Sequence, residues 1–342
     1  MSVYEAIRPL LFRLDPETAH RWSIRAMQCA GATALGRRLL HAMFGVREAE
    51  PVVVCGLAFP NRVGLAAGYD KDAHAWRGLA SLGFGHVEVG TVTPRPQPGN
   101  PAPRVFRLSE HASLINRLGF PGEGAAAVAA RIDGGRPHGV VLGVNIGKNR
   151  DTPLEEAARD YRELVGVFAD RADYLVVNVS SPNTEGLRRL QAKRELEALL
   201  GDVVDARDAA PTSRRVPLFV KLSPDLDDDG LDDALEATLA AGIDGVVATN
   251  TTVSRPGVGD GAVTRERGGL SGQAVRGLSS RVVGQIHRRT EGRLPIIGVG
   301  GVFDADDVQE KLDVGASLVQ LYTGLIYRGP FVVRRILRAL AR

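Results

Sequence analysis

Two periodicities divide the chain. Through about the first 45 residues, apolar side chains recur at helical spacing. Val3, Ile7, Leu10, Leu11 and Leu14 fall at i, i+4, i+7, i+8 and i+11 and share one helix face. Asp15-Pro16 stops that helix and opens a second, with Asp15 as N-cap and Pro16 at the first helical position. Ala19, Trp22, Ala26, Met27 and Ala30 form the apolar face of this second helix. Residues 46–51 read as a linker. From Val52 onward the pattern changes. Apolar runs at 63–67, 86–90, 140–145, 174–179, 217–222, 245–249, 295–299 and 317–322 are continuous rather than alternating, as parallel strands buried on both faces require. Most are followed by polar or Gly residues and then a helix-period segment. Eight such repeats predict an α/β fold, a (β/α)8 TIM barrel with a small N-terminal α-helical extension. A doubly wound open sheet is the alternative, although the Gly-rich first turn expected of it is absent.

Two connections exceed what a barrel needs. Residues 91–119 contain two strand-like stretches, 104–108 and 113–115, and predict an added hairpin. Residues 250–272 are rich in Gly and charge, and long loops in compact domains are usually functional or mobile.

Composition removes several function classes. The net charge is +3, but Lys and Arg are dispersed, so there is no nucleic-acid footprint. The two cysteines, Cys29 and Cys55, have no metal-ligand spacing and read as reduced thiols. Seven scattered His residues form no ligand cluster, and no metal is expected. There is no signal-peptide pattern and no apolar run of the ~18 residues a spanning helix needs. The first helix, ~18 Å long at ~1.5 Å per residue, is too short to cross a ~30 Å bilayer core. Two placements remain for the pair. It packs its stripes on the main domain or on itself, or it lies in a membrane interface with Arg8, Arg13, Arg21 and Arg25 toward anionic headgroups.

Candidate chemistry gathers at the strand ends. Asn178-Val-Ser-Ser-Pro-Asn-Thr184 puts amides and hydroxyls on a stiff turn after the fourth run, though Ser-Pro-Asn also serves ordinary turns. Gly300 and Gly301 after the seventh run, with Tyr322, Thr323 and Gly324 after the eighth, suit a phosphate cup of backbone N–H groups. Neither stretch is a dinucleotide fingerprint, and no P-loop occurs, so a mononucleotide-type cofactor is implied. Lys71 follows the first strand and Lys221 closes the fifth, each a Schiff-base or electrostatic candidate. Asn116, Asn145, Asn178, Asn183 and Asn250 suit a planar heterocycle, since each amide both donates and accepts. No carboxylate pair stands where glycosidase chemistry would need one.

Nine stretches in order, AAGYDK (66–71), EVGTVTP (88–94), NRLGF (116–120), VNIGKN (144–149), NVSSPNT (178–184), ATNTT (248–252), GGLSG (268–272), GVGG (298–301) and LYTG (321–324), together resemble the dihydroorotate dehydrogenase family. The resemblance implies a TIM barrel carrying one FMN at its C-terminal face and the oxidation of dihydroorotate to orotate in pyrimidine biosynthesis. It implies substrate contacts from Lys71, Asn116, Arg117, Leu118, Gly119, Phe120, Asn178, Asn183, Asn250 and Thr251. FMN contacts would come from Ala67, Gly68, Tyr69, Asp70, Lys71, Thr91, Asn145, Asn178, Lys221, Thr249, Gly272, Gly301, Tyr322 and Thr323. Ser181 matches the catalytic base, taking a proton from C5 of dihydroorotate, with Thr184 and Phe120 flanking a water relay. Serine at 181, with the N-terminal helices, points to the quinone-dependent branch, in which His20 and Arg107 match residues near the quinone path. On this reading residues 1–45 give quinone access at the cytoplasmic face of the cell membrane, held peripherally. Residues 46–342 form the catalytic barrel, and the protein acts as a monomer. Two alternatives are a related FMN barrel that reduces dihydropyrimidines, usually with iron–sulfur cysteines, and a barrel that only binds a mononucleotide.

Overall fold

The protein is described by a computed structural model covering residues 3–46, 49–135, 137 and 139–341. Eight strands close into one parallel barrel: β1 (Val63–Leu65), β2 (His86–Val92), β3 (Val141–Ile146), β4 (Tyr174–Asn178), β5 (Leu218–Leu222), β6 (Gly245–Ala248), β7 (Ile296–Val299) and β8 (Leu318–Leu321). Each pairs with its successor, and β8 pairs with β1. The eight apolar runs are these strands.

The barrel interior is filled by an alternation of large and absent side chains. A Cβ on Gly64 would lie 2.1 Å from the His86 ring, one on Gly143 2.2 Å from the Tyr174 ring, and one on Gly245 2.4 Å from the Phe219 ring. Glycine on one strand therefore makes the space that a ring from its neighbour occupies. Two three-residue strands, Val52–Val54 and Leu57–Phe59, form a hairpin that plugs the N-terminal end, with Phe59 edge-on to His86 at 5.4 Å. That hairpin is absent from the periodicity because each strand is shorter than one alternation can reveal.

The two long loops meet over the opposite end. Val105–Leu108 and Ser113–Asn116 form the expected hairpin, and Gly269–Gly272 adds a third antiparallel strand to it, pairing Gly269 with Asn116 and Gly272 with Ser113. The barrel mouth thus has a small sheet as its roof.

The N-terminal extension has three helices rather than two: α1 (Val3–Leu11), α2 (Pro16–Gly31) and α3 (Ala34–Phe44). Helix α1 ends three residues before Leu14, while Asp15 caps α2 as expected, its Oδ1 accepting from Thr18 N at 2.9 Å. The extension packs on the barrel and also leaves apolar side chains outside. Gly31 abuts the helix Trp76–Ala80 so closely that a Cβ there would lie 2.5 Å from Gly78 N. Arg107 donates to the carbonyls of Phe12 and Leu14 at 3.1 and 2.6 Å. Yet of the eight exposed large hydrophobics among the described residues, six lie on these helices: Ile7, Leu10, Trp22, Leu35, Leu39 and Met43. Arg13, Arg21 and Arg25 are exposed as well, whereas Arg8 turns inward, donating to Tyr327 O at 2.9 Å. No described helix is long and apolar enough to cross a membrane.

Candidate active site

A cavity opens at the C-terminal ends of the strands beneath the three-stranded roof, the place of a barrel ligand site. The βα loops deliver its walls. From the first and second come Ala67, Gly68, Lys71 and Thr91; from the roof hairpin Asn116, Leu118, Gly119 and Phe120. The fourth to sixth give Asn178, Ser181, Asn183, Lys221, Thr249, Asn250 and Thr251, and the last two give Gly301, Tyr322 and Thr323, with Gly272 of the roof between them.

A chain of amides and hydroxyls fixes one wall. Thr91 Oγ1 donates to Asn145 Oδ1 at 2.6 Å, and Asn178 Nδ2 donates to Thr91 Oγ1 at 2.9 Å and Asn145 Oδ1 at 3.1 Å. Asn250 Nδ2 then bridges Asn178 Oδ1 at 3.2 Å and Ser180 Oγ at 3.0 Å. Across the cavity Asn183 Nδ2 donates to Asn116 Oδ1 at 3.2 Å, a contact that uses neither the Asn116 amide nitrogen nor the Asn183 carboxamide oxygen. Those two groups form a donor–acceptor pair matched to an N–H and a C=O of a planar ring. Ser181 is buried, with its Oγ accepting from Asn183 N at 3.2 Å. Three residues on, the Thr184 hydroxyl is buried with no partner.

Two lysines flank this wall. Lys71 Nζ donates to Gly68 O at 2.6 Å, and enclosure, opposed by Asp72, lowers its pKa to about 8. Burial lowers Lys221 too, against the opposing attraction of Glu88. Glu88 lies fully buried in the barrel interior. Its Oε1 accepts from Asn145 Nδ2 at 2.9 Å, and its Oε2 from Gln320 Nε2 at 2.8 Å and Tyr174 OH at 3.3 Å. Each carboxylate oxygen thus takes the N–H end of one amide. Gln320 Oε1 is left buried and unpartnered, on a residue that lines the cavity. Below this layer His86 is neutral, its pKa lowered by burial to about 3.

Four of the residues matched as substrate or FMN contacts do not line the cavity. Asn145 stands behind Thr91 and Asn178. Asp70 accepts from His74 N and Ala75 N, fixing its own loop. The Arg117 guanidinium turns outward to Glu266 and lies 4.7 Å from the Phe106 ring centroid. Tyr69 faces the extension, with His20 edge-on at 5.0 Å and Tyr322 at 5.7 Å. His20, Tyr69 and Tyr322 therefore make an unbroken aromatic line from α2 to the cavity wall. His20 is held neutral, its pKa lowered to about 4 by burial and then by Lys71. Arg107 lies off this line and ties down the turn between α1 and α2.

Sequence reasoning missed Gln320, Ser271 and Glu88. Glu88 and Gln320 carried a readable signal, a polar residue in mid-strand within an apolar run. Ser271 Oγ lies 3.0 Å from Thr323 Oγ1 and had none. Among the described residues Asp72, His74 and Glu123 also converge, but Glu123 binds His74 at 2.9 Å and pairs with Arg131, and Asp72 accepts from Glu123 N.

Residues 51–342 match the family described as Dihydroorotate dehydrogenase. The chain is 48% identical to a protein of Acidithiobacillus ferrooxidans named dihydroorotate dehydrogenase (quinone), over 98% of this chain and 94% of that one. A protein of the same name from Halorhodospira halophila is 49% identical, over 99% and 98%. Among solved structures, ligand-free DHODH of Eimeria tenella superposes with a TM-score of 0.87 at 38% identity, covering 95% of this chain and 94% of that chain. The DHODH of the same organism in complex with ferulenol gives a TM-score of 0.87 at 38% identity, covering 95% of this chain and 90% of that one.

Proposed function

We propose, for a chain that belongs to the dihydroorotate dehydrogenase family, the site chemistry by which that family's reaction runs here. The enzyme is a flavin-dependent oxidoreductase that oxidises dihydroorotate to orotate in pyrimidine biosynthesis with quinone as acceptor. One FMN is its cofactor, held at the barrel mouth, and the residues fit that group. Gly300 and Gly301 have φ of +128° and +75°, and a Cβ on Gly301 would lie 2.5 Å from Arg276 Cα, so only glycine lets this backbone turn its N–H groups to a phosphate. Gln320 Oε1 offers an acceptor to a ring N–H, and Lys221 a positive charge to the electron-rich edge of a flavin. When bound, FMN supplies the hydride acceptor.

Ser181 takes the proton from C5 of dihydroorotate. A hydroxyl is a weak base and depends on its surroundings. Here burial excludes bulk water, Asn183 N fixes the Oγ, and the unpartnered Thr184 hydroxyl offers a next station for the proton. Asn116, Asn183, Asn250 and Thr251 orient the pyrimidine ring, and Lys71 pairs with its carboxylate. Residues 1–45 serve as the quinone-access segment and 46–342 as the catalytic domain. The exposed Leu35, Leu39 and Met43 stripe rests in the membrane surface at the cytoplasmic face, and the aromatic line from His20 to Tyr322 borders the quinone's approach. The protein acts as a monomer and binds no nucleic acid.

The observation that carries this reading is Ser181 buried on the cavity wall within one hydrogen-bonded set of site amides. Ser181→Ala should keep FMN bound while slowing flavin reduction by dihydroorotate roughly 100-fold or more, the scale of general-base loss. Unchanged reduction in anaerobic stopped flow would remove Ser181 from the role.

A further inference from the structure

Arg188 and Asp225 lie outside the cavity wall, yet between them they hold three consecutive βα loops. Arg188 follows Ser181 by seven residues, in the short 3-10 helix Leu187–Gln191. Its guanidinium donates in three directions: Nε to Ser180 O at 3.2 Å, Nη1 to Asp225 Oδ2 at 2.8 Å and Nη2 to Thr251 O at 3.2 Å. Asp225, just past β5, completes the connection. Its Oδ2 also accepts from Val253 N at 3.0 Å, and its Oδ1 accepts from Thr252 Oγ1. The side chains are only 25% and 14% exposed, so solvent screens the pair less than it would a surface bridge.

The two carbonyls that Arg188 grips are those of Ser180, whose peptide unit carries the Ser181 nitrogen, and of Thr251, in the substrate wall. We infer that the Arg188–Asp225 pair is a latch that sets the distance between Ser181 and the substrate-holding Asn250–Thr251 segment, and so positions the base for proton transfer. The latch rests on the reading of Ser181 as base. A planar guanidinium fixes three acceptors at set angles, whereas an ammonium on a flexible stem does not. Arg188→Lys therefore keeps the charge opposite Asp225 and loses the geometry. A displacement of about 1 Å at a reacting group costs rate on the order of 100-fold. Both are positioning residues, since neither lines the cavity.

The test uses the FMN-loaded full chain with Arg188→Lys, Arg188→Gln and Asp225→Asn, and Ser181→Ala beside them. Flavin reduction is followed by anaerobic stopped flow with dihydroorotate and with dihydroorotate deuterated at C5. Each latch variant should reduce its flavin about 10- to 100-fold more slowly. Each should show a larger C5 isotope effect than the parent, because a misplaced base makes proton transfer limit the step. FMN content and reoxidation of the reduced flavin by quinone should stay at parental levels. The double variant Arg188→Lys/Asp225→Asn should be no slower than the slower single one. Parental reduction rates and isotope effects in all three variants would overturn the latch. So would lost FMN or lowered Tm with an unchanged isotope effect, which would leave the pair a purely structural role. If Ser181→Ala itself reduces at the parental rate, the base assignment fails; if it is slow while the latch variants are normal, only the latch fails.

Discussion

Replacing Leu35, Leu39 and Met43 together with serine tests whether the exposed stripe on α3 is a membrane face. The three lie at i, i+4 and i+8 and are 67, 60 and 56% exposed, while Leu40 of the same helix is buried at 9%. Full burial of such a side chain is worth about 1.5–3 kcal/mol. With more than half of each still in water, immersion in lipid gains roughly 1–1.5 kcal/mol per residue, or about 3–4.5 kcal/mol for the stripe. At ~1.4 kcal/mol per tenfold, the triple variant should bind vesicles roughly 150- to 1,600-fold more weakly. The fold should tolerate the change, since Leu40 keeps its packing and the helix-propensity cost is only a few tenths of a kcal/mol per residue. Co-sedimentation with phospholipid vesicles measures the partition, and anaerobic flavin reduction by dihydroorotate serves as the control that the cavity is intact. Turnover with a long-chain quinone in vesicles should fall while turnover with a short, water-soluble quinone persists. Vesicle binding within threefold of the parent, with the control satisfied, would refute the reasoning.

Three more outcomes follow from the same geometry. Lys71 must be protonated to pair with a carboxylate, and its pKa is lowered to about 8, so the charge is present below that pH and lost above it. The pH profile of kcat/KM for dihydroorotate should fall on its alkaline side near pH 8, and Lys71→Met should remove that limb along with most of the substrate affinity. Glu88→Met strands the Asn145, Gln320 and Tyr174 donors; at about 1–3 kcal/mol per orphaned buried group, partly relieved by the 3.3 Å Gln320–Tyr174 contact, it should cost roughly 2–5 kcal/mol in denaturant unfolding, and parental stability would contradict the network. Deleting residues 1–45 should leave dihydroorotate able to bleach the flavin but abolish turnover with long-chain quinone, measured on the same preparation.

The barrel was legible because its strands are buried on both faces and read as continuous apolar runs. Helix α3 was not, although Leu35, Leu39 and Met43 keep its period, because Gly36, Arg37 and Arg38 interrupt the stretch and the first two helices already account for the extension. The strand Gly269–Gly272 reads locally as a turn, and only its pairing with Ser113–Asn116, more than 150 residues earlier, makes it a strand. At the site, sequence placed Asn145, Asp70, Tyr69 and Arg117 correctly near strand ends. It could not tell which way each side chain points, and that direction decides whether a residue meets ligand or holds its neighbour. The Glu88 hub shows the converse. A carboxylate inside HVEVG is conspicuous, but its three donors come from β3, β4 and β8 and meet only when the barrel closes.

The most direct measurement is steady-state oxidation of dihydroorotate by the purified protein with a quinone analogue, set against fumarate and NAD⁺ as acceptors. Turnover to orotate with quinone alone is the predicted result. Turnover that prefers fumarate or NAD⁺, or none with any acceptor from protein carrying its full complement of FMN, would contradict the account.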